Sequence, residues 1–105
     1  MGDRGEVSIN GVYLYTHWGG KELIEDVKKA LNERARWDDE EYLARIIFCK
    51  MVGDDMESTT GYGIGNIEHS DAWRQIIIKD QHIIIKRYDK IEFEGTFEEF
   101  LEEVV

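Results

Sequence analysis

The dipeptide Asn10-Gly11 is the feature that most restricts how this chain can fold. Both residues readily adopt the left-handed backbone conformation that a two-residue type I′ turn requires. Residues 5–9 before it alternate between apolar and polar side chains, and residues 12–17 after it are rich in β-branched and aromatic side chains. The sequence therefore predicts a β-hairpin close to the N-terminal end.

Two runs of isoleucine predict a second hairpin. Residues 75–79 and 82–87 each contain three consecutive isoleucines, with Asp80-Gln81 between them as the turn. Apolar residues at successive positions point to both faces of a strand, which indicates strands inside a sheet. Residues 61–67 alternate glycine with larger residues and predict another strand, and residues 91–94 predict a short edge strand.

Two central helices are predicted between these strands. Apolar side chains recur at helical spacing on one face of residues 21–35 and again in residues 38–51. Asp38 and Glu41 have the spacing of a capping box for the second helix, and Trp37 has the matching position for a hydrophobic staple with Tyr42.

A closing helix is predicted after Thr96, which forms a second capping box with Glu99. Its buried stripe is predicted to contain Phe97, Phe100, Leu101 and Val104. The element order is thus ββααβββα. It predicts one α+β domain over residues 1–105, with an antiparallel sheet of about five strands covered by helices.

The charge balance limits the partners of this domain. Its 105 residues include 13 Lys and Arg against 23 Asp and Glu, a formal charge of −10. Such a field repels phosphate backbones, so direct electrostatic binding of nucleic acid is not expected. The acidity suits solubility, cation binding, docking to a basic protein or imitation of a nucleic acid.

Other compositional features favour a soluble cytoplasmic protein. No apolar run approaches the length of a transmembrane helix, and the first residues lack the apolar region of a secretory signal. The single cysteine, Cys49, cannot form an internal disulfide, which fits a reducing compartment. The sequence carries no signal for an oligomeric state.

Recognisable catalytic motifs are missing from the sequence. There is no nucleophile elbow, no dinucleotide-binding loop and no phosphate-binding loop with its lysine. Cys49 and the three histidines lack the spacing of zinc ligands. The pattern favours a protein that is not an enzyme.

Six residues are the candidates for a ligand site. The segment 16–20 joins a strand to a helix start, where glycines leave backbone amides open to an anion and His17 can act as a base or ligand. The alternative is a tight turn plugged by an aromatic ring. Arg36 can clamp Asp38 or share a pocket with His17. The candidate ligand-binding residues are His17, Trp18, Arg36, Trp37, Arg45 and Tyr62.

Two groups of carboxylates are the candidates for a metal site. Carboxylate oxygens are the ligands that calcium and magnesium prefer, although the spacing of an EF-hand loop is absent. The groups flank one predicted helix and lie about 20 Å apart at 1.5 Å per residue, so one ion cannot use both. The candidate metal ligands are Asp38, Asp39, Glu40 and Glu41 in the first group and Asp54, Asp55 and Glu57 in the second.

Four segments together resemble a family of small uncharacterised proteins of phages and prokaryotes. They are residues 15–20 (YTHWGG), 36–38 (RWD), 42–48 (YLARIIF) and 61–64 (GYGI). The resemblance covers roughly residues 12–85 and brings no established activity. It implies that the four segments belong together, around one pocket.

Three hypotheses for function follow. The leading one is a non-enzymatic acidic module that binds or regulates by docking a basic protein partner. The second is a divalent-cation binding protein, with calcium as the ion. The third is a small-molecule site or enzyme around His17, Arg36 and Arg45.

Overall fold

The structure is a computed structural model that describes residues 3–103. Its six strands are β1 (Gly5–Ile9), β2 (Val12–Thr16), β3 (Tyr62–Gly65), β4 (Arg74–Lys79), β5 (His82–Arg87) and β6 (Lys90–Thr96). Its helices are α1 (Leu23–Asn32), which follows a short 3₁₀ turn at Gly20–Glu22, α2 (Glu40–Val52) and α3 (Phe97–Glu103). None of the helices in this part of the chain is long and apolar enough to span a bilayer.

The six strands form one mixed sheet in the order β3-β2-β1-β4-β5-β6. The α+β class is confirmed, but the prediction of an antiparallel sheet of about five strands was wrong in detail. Strands β3, β2 and β1 form one antiparallel unit, and β4, β5 and β6 form another. The two units are joined by parallel pairing of β1 with β4. Local turn signals do not specify a pairing between strands this far apart in sequence.

Both predicted hairpin turns are present. Asn10 and Gly11 have φ angles of 54° and 78°, and Asp80 and Gln81 have 52° and 64°. These left-handed pairs match a type I′ turn, whose twist fits the twist of the flanking strands. Register follows from the turns, because Ile9 pairs with Val12 and Lys79 pairs with His82.

All three helices cover one face of the sheet. Alternate residues of the strands point to that face and join the buried helix residues in a single core. The strand side chains in this core are Val7, Ile9, Leu14, Ile76, Ile78, Ile83 and Ile85. The helix side chains in it are Leu23, Val27, Ala30, Leu31, Leu43, Ala44, Ile47, Met51, Phe97 and Phe100. The opposite face, here called the open face, carries no helix.

Helix α1 is shorter than predicted, and helix α2 begins one residue later than predicted. Helix α1 ends at Asn32 rather than near residue 35, and Arg34 and Arg36 have φ angles of 51° and 63°, which no α-helix contains. Helix α2 is capped by Asp39, whose side chain accepts a hydrogen bond from the backbone N–H of Tyr42. The N-cap is therefore one residue later than the predicted Asp38.

The predicted staple between Trp37 and Tyr42 is not formed. The indole Nε1 of Trp37 donates to the Leu31 carbonyl (3.1 Å), and its ring packs edge-on against Phe97 at 5.3 Å. Tyr42 is exposed, and the guanidinium of Arg36 lies 4.2 Å above its ring. Trp37 therefore packs on α3 and not on Tyr42. This contact joins residues far apart in sequence, so it could not be predicted from local spacing.

The capping box of α3 is confirmed. The backbone N–H of Thr96 donates to the Glu99 carboxylate (2.8 Å), and the Glu99 N–H donates to the Thr96 hydroxyl (3.1 Å). Phe97 and Phe100 are buried and Leu101 is half-buried, as the stripe predicts. Val104, the last residue of the predicted stripe, lies outside the described residues.

A crossover loop, residues 66–73, connects β3 at one edge with β4 in the centre. It passes over the open face, where His69 stacks on Tyr15 at 4.3 Å. Glu6 holds it there, since one carboxylate oxygen accepts the backbone N–H of His69 (2.9 Å) and also bonds its ring Nδ1 (2.6 Å). Glu6 is only 2% exposed. A carboxylate that accepts two hydrogen bonds at a buried position fixes the path of the loop.

We expect Glu6→Ala to lower the free energy of unfolding by about 2 kcal/mol, because it removes the acceptor of two His69 donors and the contact that holds the loop. Urea unfolding followed by circular dichroism measures this loss. Glu94→Ala, on the exposed edge strand β6, removes the same charge and should change stability by about 0.5 kcal/mol or less. Equal losses in the two variants would show that Glu6 does not hold the loop.

Candidate functional site

Three of the six predicted ligand residues meet at one corner of the molecule, where β2 ends and β3 begins. The backbone N–H of His17 donates to the Gly61 carbonyl at 2.8 Å, which places Tyr62 beside the end of β2. The imidazole of His17 contacts the ring of Trp18 edge-on at 4.8 Å. This corner is formed by chain segments far apart in sequence.

Gly61 is required at this corner for two reasons. Its φ angle is +98°, a conformation that side chains other than glycine rarely adopt. A Cβ at this position would also lie 2.8 Å from Cζ3 of Trp18, whose ring packs directly on the glycine. The aromatic plug predicted for the turn is thus present.

Arg36 and Trp37 lie at the other end of the molecule. Trp37 packs on Phe97, whose backbone N–H donates to the Gln81 carbonyl in the β4–β5 turn. That turn is at the end of the sheet opposite to His17. Helix α1, about 15 Å long at 1.5 Å per residue, runs between the two places. The structure therefore does not bring Arg36 into a pocket with His17.

Arg45 lies on the side of α2 that faces the Tyr62 corner. Its guanidinium is 3.8 Å from the sulfur of Cys49, one helical turn further along. Cys49 lines a cleft between the C-terminal half of α2, the loop 53–61 and Tyr62, which we call the Tyr62 cleft. Its volume is about 330 Å³, and its lining residues are Phe48, Cys49, Val52, Asp55, Met56, Ser58 and Tyr62.

The floor of the Tyr62 cleft is apolar. Phe48, Val52 and the ring of Tyr62 supply most of it, and Met56 stands at its margin with 71% of its surface exposed. Large apolar side chains that stay exposed on one concave surface mark binding sites more often than chance placements do. Methionine is well suited to such a place because its flexible side chain adapts to different partners.

Carboxylates surround the same cleft. Asp55 lines it, and burial together with the charges of Asp55, Asp26 and Glu22 raises the pKa of the Tyr62 hydroxyl. Burial, followed by the charge of Glu22, raises the pKa of Asp26 to about 6. Among residues 3–103, none of these carboxylates forms an ion pair with a lysine, arginine or histidine. The rim is thus negative without a direct ion pair, although the more distant charge of Lys29 acts on Asp26.

The candidate metal ligands are dispersed. In the first group, Asp39 caps α2 and Glu40 accepts the backbone N–H of Asp80 (2.9 Å), so both carboxylates have roles in the fold. The side chains of Asp38 and Glu41 are exposed, as are those of the second group, Asp54, Asp55 and Glu57. In the described part of the chain, no three His, Cys, Asp or Glu side chains are arranged to hold a metal ion.

A second polar cluster lies on the open face around Tyr15. The Nδ1 of His17 is 3.3 Å from the Tyr15 hydroxyl and 3.4 Å from Nε of Arg4. Because arginine can only donate, this nitrogen is the acceptor and the ring proton is on Nε2. On the other side of Tyr15 lies His69, bonded to Glu6.

Sequence reasoning did not select Glu6, His69 or Asp26. The crossover loop buries Glu6, and the alternating pattern of β1 contains no signal that predicts this loop. Asp26 looks like an ordinary acidic residue in the first turn of a helix. Its pKa is raised mainly by burial and then by the charge of Glu22, and the local sequence does not reveal that burial.

Comparisons with protein-family models, with curated proteins and with solved structures each found no match. The similarity to a phage and prokaryotic family stays a prediction.

We expect Gly61→Ala to lower the free energy of unfolding by about 2 kcal/mol, since it forces an alanine into a left-handed conformation against Trp18. Gly63→Ala is the matched control two residues later, where an added Cβ meets no atom within 4 Å. It should leave stability unchanged or raise it by up to about 1 kcal/mol. Urea unfolding compares the two, and similar losses would contradict the packing described for Trp18.

Proposed function

We propose that this protein is a non-enzymatic binding module that docks a basic, amphipathic segment of another protein in the Tyr62 cleft. The observation that carries the proposal is the combination of an apolar floor with nearby carboxylates that form no ion pair among the described residues. An amphipathic segment offers the complementary surface: apolar anchors for the floor and lysine or arginine side chains for the rim.

The distribution of charge supports this surface over the open face. The helix side of the molecule, residues 20–61 and 97–103, carries 15 of the 23 acidic residues and only 7 of the 13 basic ones. Its formal charge is therefore −8 of the total −10. Two of these basic residues are already paired, Lys50 with Glu33 and Arg34 with Glu98. A concentrated negative field on one side steers a basic partner towards it and speeds association.

The arrangement of the carboxylates suits a cationic side chain better than a calcium ion. Calcium needs six to eight oxygens that converge on one point. Here Asp55 lines a cleft whose floor includes Phe48, Val52 and Tyr62, and the charge of Asp26 acts on the Tyr62 hydroxyl. An ammonium or guanidinium group on an apolar stem satisfies both parts, because the stem packs on the floor while the charged end reaches the rim.

The first test uses a fluorescently labelled amphipathic peptide made of leucine and lysine, with fluorescence polarisation as the readout. We expect saturable binding that weakens with added salt, and no binding of a matched peptide made of leucine and glutamate. Met56→Ser should weaken binding roughly tenfold, which corresponds to about 1.4 kcal/mol. Asp55→Asn should weaken it roughly threefold.

Each variant has a matched control. Ile67→Ser removes another exposed apolar side chain, and Asp38→Asn removes a carboxylate at the far end of α2. Both controls should bind the peptide like the unmodified protein. Equal effects in a variant and its control would mean that the peptide binds the acidic surface at large, and the proposal would fail.

The second prediction concerns pH. Asp26 is protonated below its pKa of about 6 and gains a negative charge above it, so affinity for the lysine peptide should rise between about pH 5 and about pH 7.5. We expect an increase of about twofold to tenfold. Lysine keeps its charge over this range. Asp26→Asn isolates the contribution of Asp26 and should reduce the increase, whereas Glu25→Gln in the same helical turn should reduce it less. An undiminished increase in Asp26→Asn would contradict the assignment.

A further inference from the structure

The open face of the sheet carries a second cleft, independent of the Tyr62 cleft. Residues directly opposite each other on paired strands share a face, so the register defines two neighbouring rows there. The first row contains Tyr15, Glu6 and Gln75. The second row contains Tyr13, Ser8 and Ile77. The crossover loop lies over the first row only.

The cleft lies between this loop and the second row. Its volume is about 230 Å³, and its lining includes Glu6, Ser8, Tyr13, Glu68, Gln75 and Ile77. The small side chain of Ser8 forms a depression between the larger ones of Tyr13 and Ile77. The backbones of those two residues are about 9.5 Å apart, twice the spacing of neighbouring strands. The result is a slot with Glu6 and Glu68 at its loop side, which we call the Glu6 cleft.

Glu6 gives this cleft its chemical character. It is 2% exposed, and its Oε1 accepts both hydrogen bonds from His69. Its second oxygen, Oε2, receives no hydrogen bond from any residue in the described range 3–103. This oxygen is not sealed from solvent, because the buried side-chain atom without a hydrogen-bond partner in the described residues is Nε of Arg74. A donor that enters the cleft can therefore reach Oε2.

The other polar groups of the cleft are also mainly acceptors. The amide nitrogen of Gln75 donates to Glu68 (3.0 Å), which leaves the amide oxygen of Gln75 to accept. Glu68 contributes a carboxylate, and the Ser8 hydroxyl can accept as well as donate. The complementary ligand therefore carries several donors, positive charge and no acceptor.

We propose that the Glu6 cleft binds a guanidinium group. Guanidinium is planar, permanently charged and offers five N–H donors with no acceptor, and it fits a carboxylate through two parallel hydrogen bonds. Tyr13 at the side of the slot offers a ring on which such a cation can stack. An ammonium group has only three donors, arranged around one nitrogen atom. It therefore forms fewer hydrogen bonds than guanidinium in a flat slot.

The guanidinium can come from a free small molecule or from an arginine side chain of a peptide. The test covers both sources by titrating the isotope-labelled protein and following its amide NMR signals. The probes are ethylguanidinium, the blocked peptide Gly-Arg-Gly, and N-ethylurea as an uncharged molecule of similar shape. We expect ethylguanidinium to shift the signals of Ser8, Gln75 and Ile77 saturably, and N-ethylurea to leave them in place.

Comparison of the two guanidinium probes identifies the source. Binding of Gly-Arg-Gly at least as tight as that of ethylguanidinium indicates a peptide arginine, whereas binding of ethylguanidinium alone indicates a free small molecule. Either result supports the proposal. Non-saturable shifts, or shifts equal to those of N-ethylurea, would overturn it. Failure here leaves the Tyr62 cleft untouched, because that cleft lies on the other face of the sheet.

Variants of exposed residues make the test specific. Glu68→Gln keeps an acceptor for Gln75 but removes the charge, and should weaken binding of ethylguanidinium at least threefold. Glu94→Gln removes a carboxylate from the same side of the sheet at its far edge and should have no effect. Glu6→Gln should abolish binding, and the spread of its amide signals shows whether the variant is folded. Equal affinities of Glu68→Gln and Glu94→Gln would contradict the assigned position.

Discussion

The parallel pairing of β1 with β4 is the interaction on which the rest of this structure depends. It joins two antiparallel three-stranded units into one sheet and thereby completes the surface on which all three helices pack. The loop 66–73 carries the chain from β3 past β2 and β1 to β4, and the buried carboxylate of Glu6 holds this loop on the open face. One polar contact therefore stabilises the topology of an otherwise apolar core.

The same constraint makes the two sides of the molecule different. Because the helices cover one face and only a loop covers part of the other, the chain has an acidic helical side and a nearly neutral open face. On the helical side, carboxylates lie close to the apolar floor of the Tyr62 cleft, and burial, followed by the charge of Glu22, raises the pKa of Asp26 to about 6. On the open face, one oxygen of Glu6 receives no hydrogen bond from the described residues. A cationic partner can interact favourably with both carboxylates.

Local elements of the fold could be predicted well from the sequence. The turns at Asn10-Gly11 and Asp80-Gln81 and the capping box of Thr96 with Glu99 depend on a few neighbouring residues, and all three are present. The end of α2 at Gly53 is another such case, since its φ of 57° stops the helix as predicted. The N-cap of α2 was misplaced by one residue because Asp38 and Asp39 are chemically equivalent candidates.

Features that depend on distant contacts were not predictable in this way. The parallel pairing of β1 with β4 and the burial of Glu6 both arise from the crossover loop. Part of the candidate site was nevertheless found, because the aromatic plug considered for segment 16–20 is Trp18, whose ring packs on Gly61. Arg36 was placed with His17 by its chemistry alone, and the length of α1 keeps the two apart.

The central claim is that a basic amphipathic partner binds at the Tyr62 cleft and not across the whole acidic surface. The most direct measurement maps amide NMR shifts over the labelled protein as the leucine–lysine peptide is added. The account predicts that the largest shifts fall on Val52, Asp55, Gly61 and Tyr62, with little change at the β4–β5 turn. Shifts spread evenly over the acidic residues of α2 and α3, or centred on Asp38 to Glu41, would contradict it.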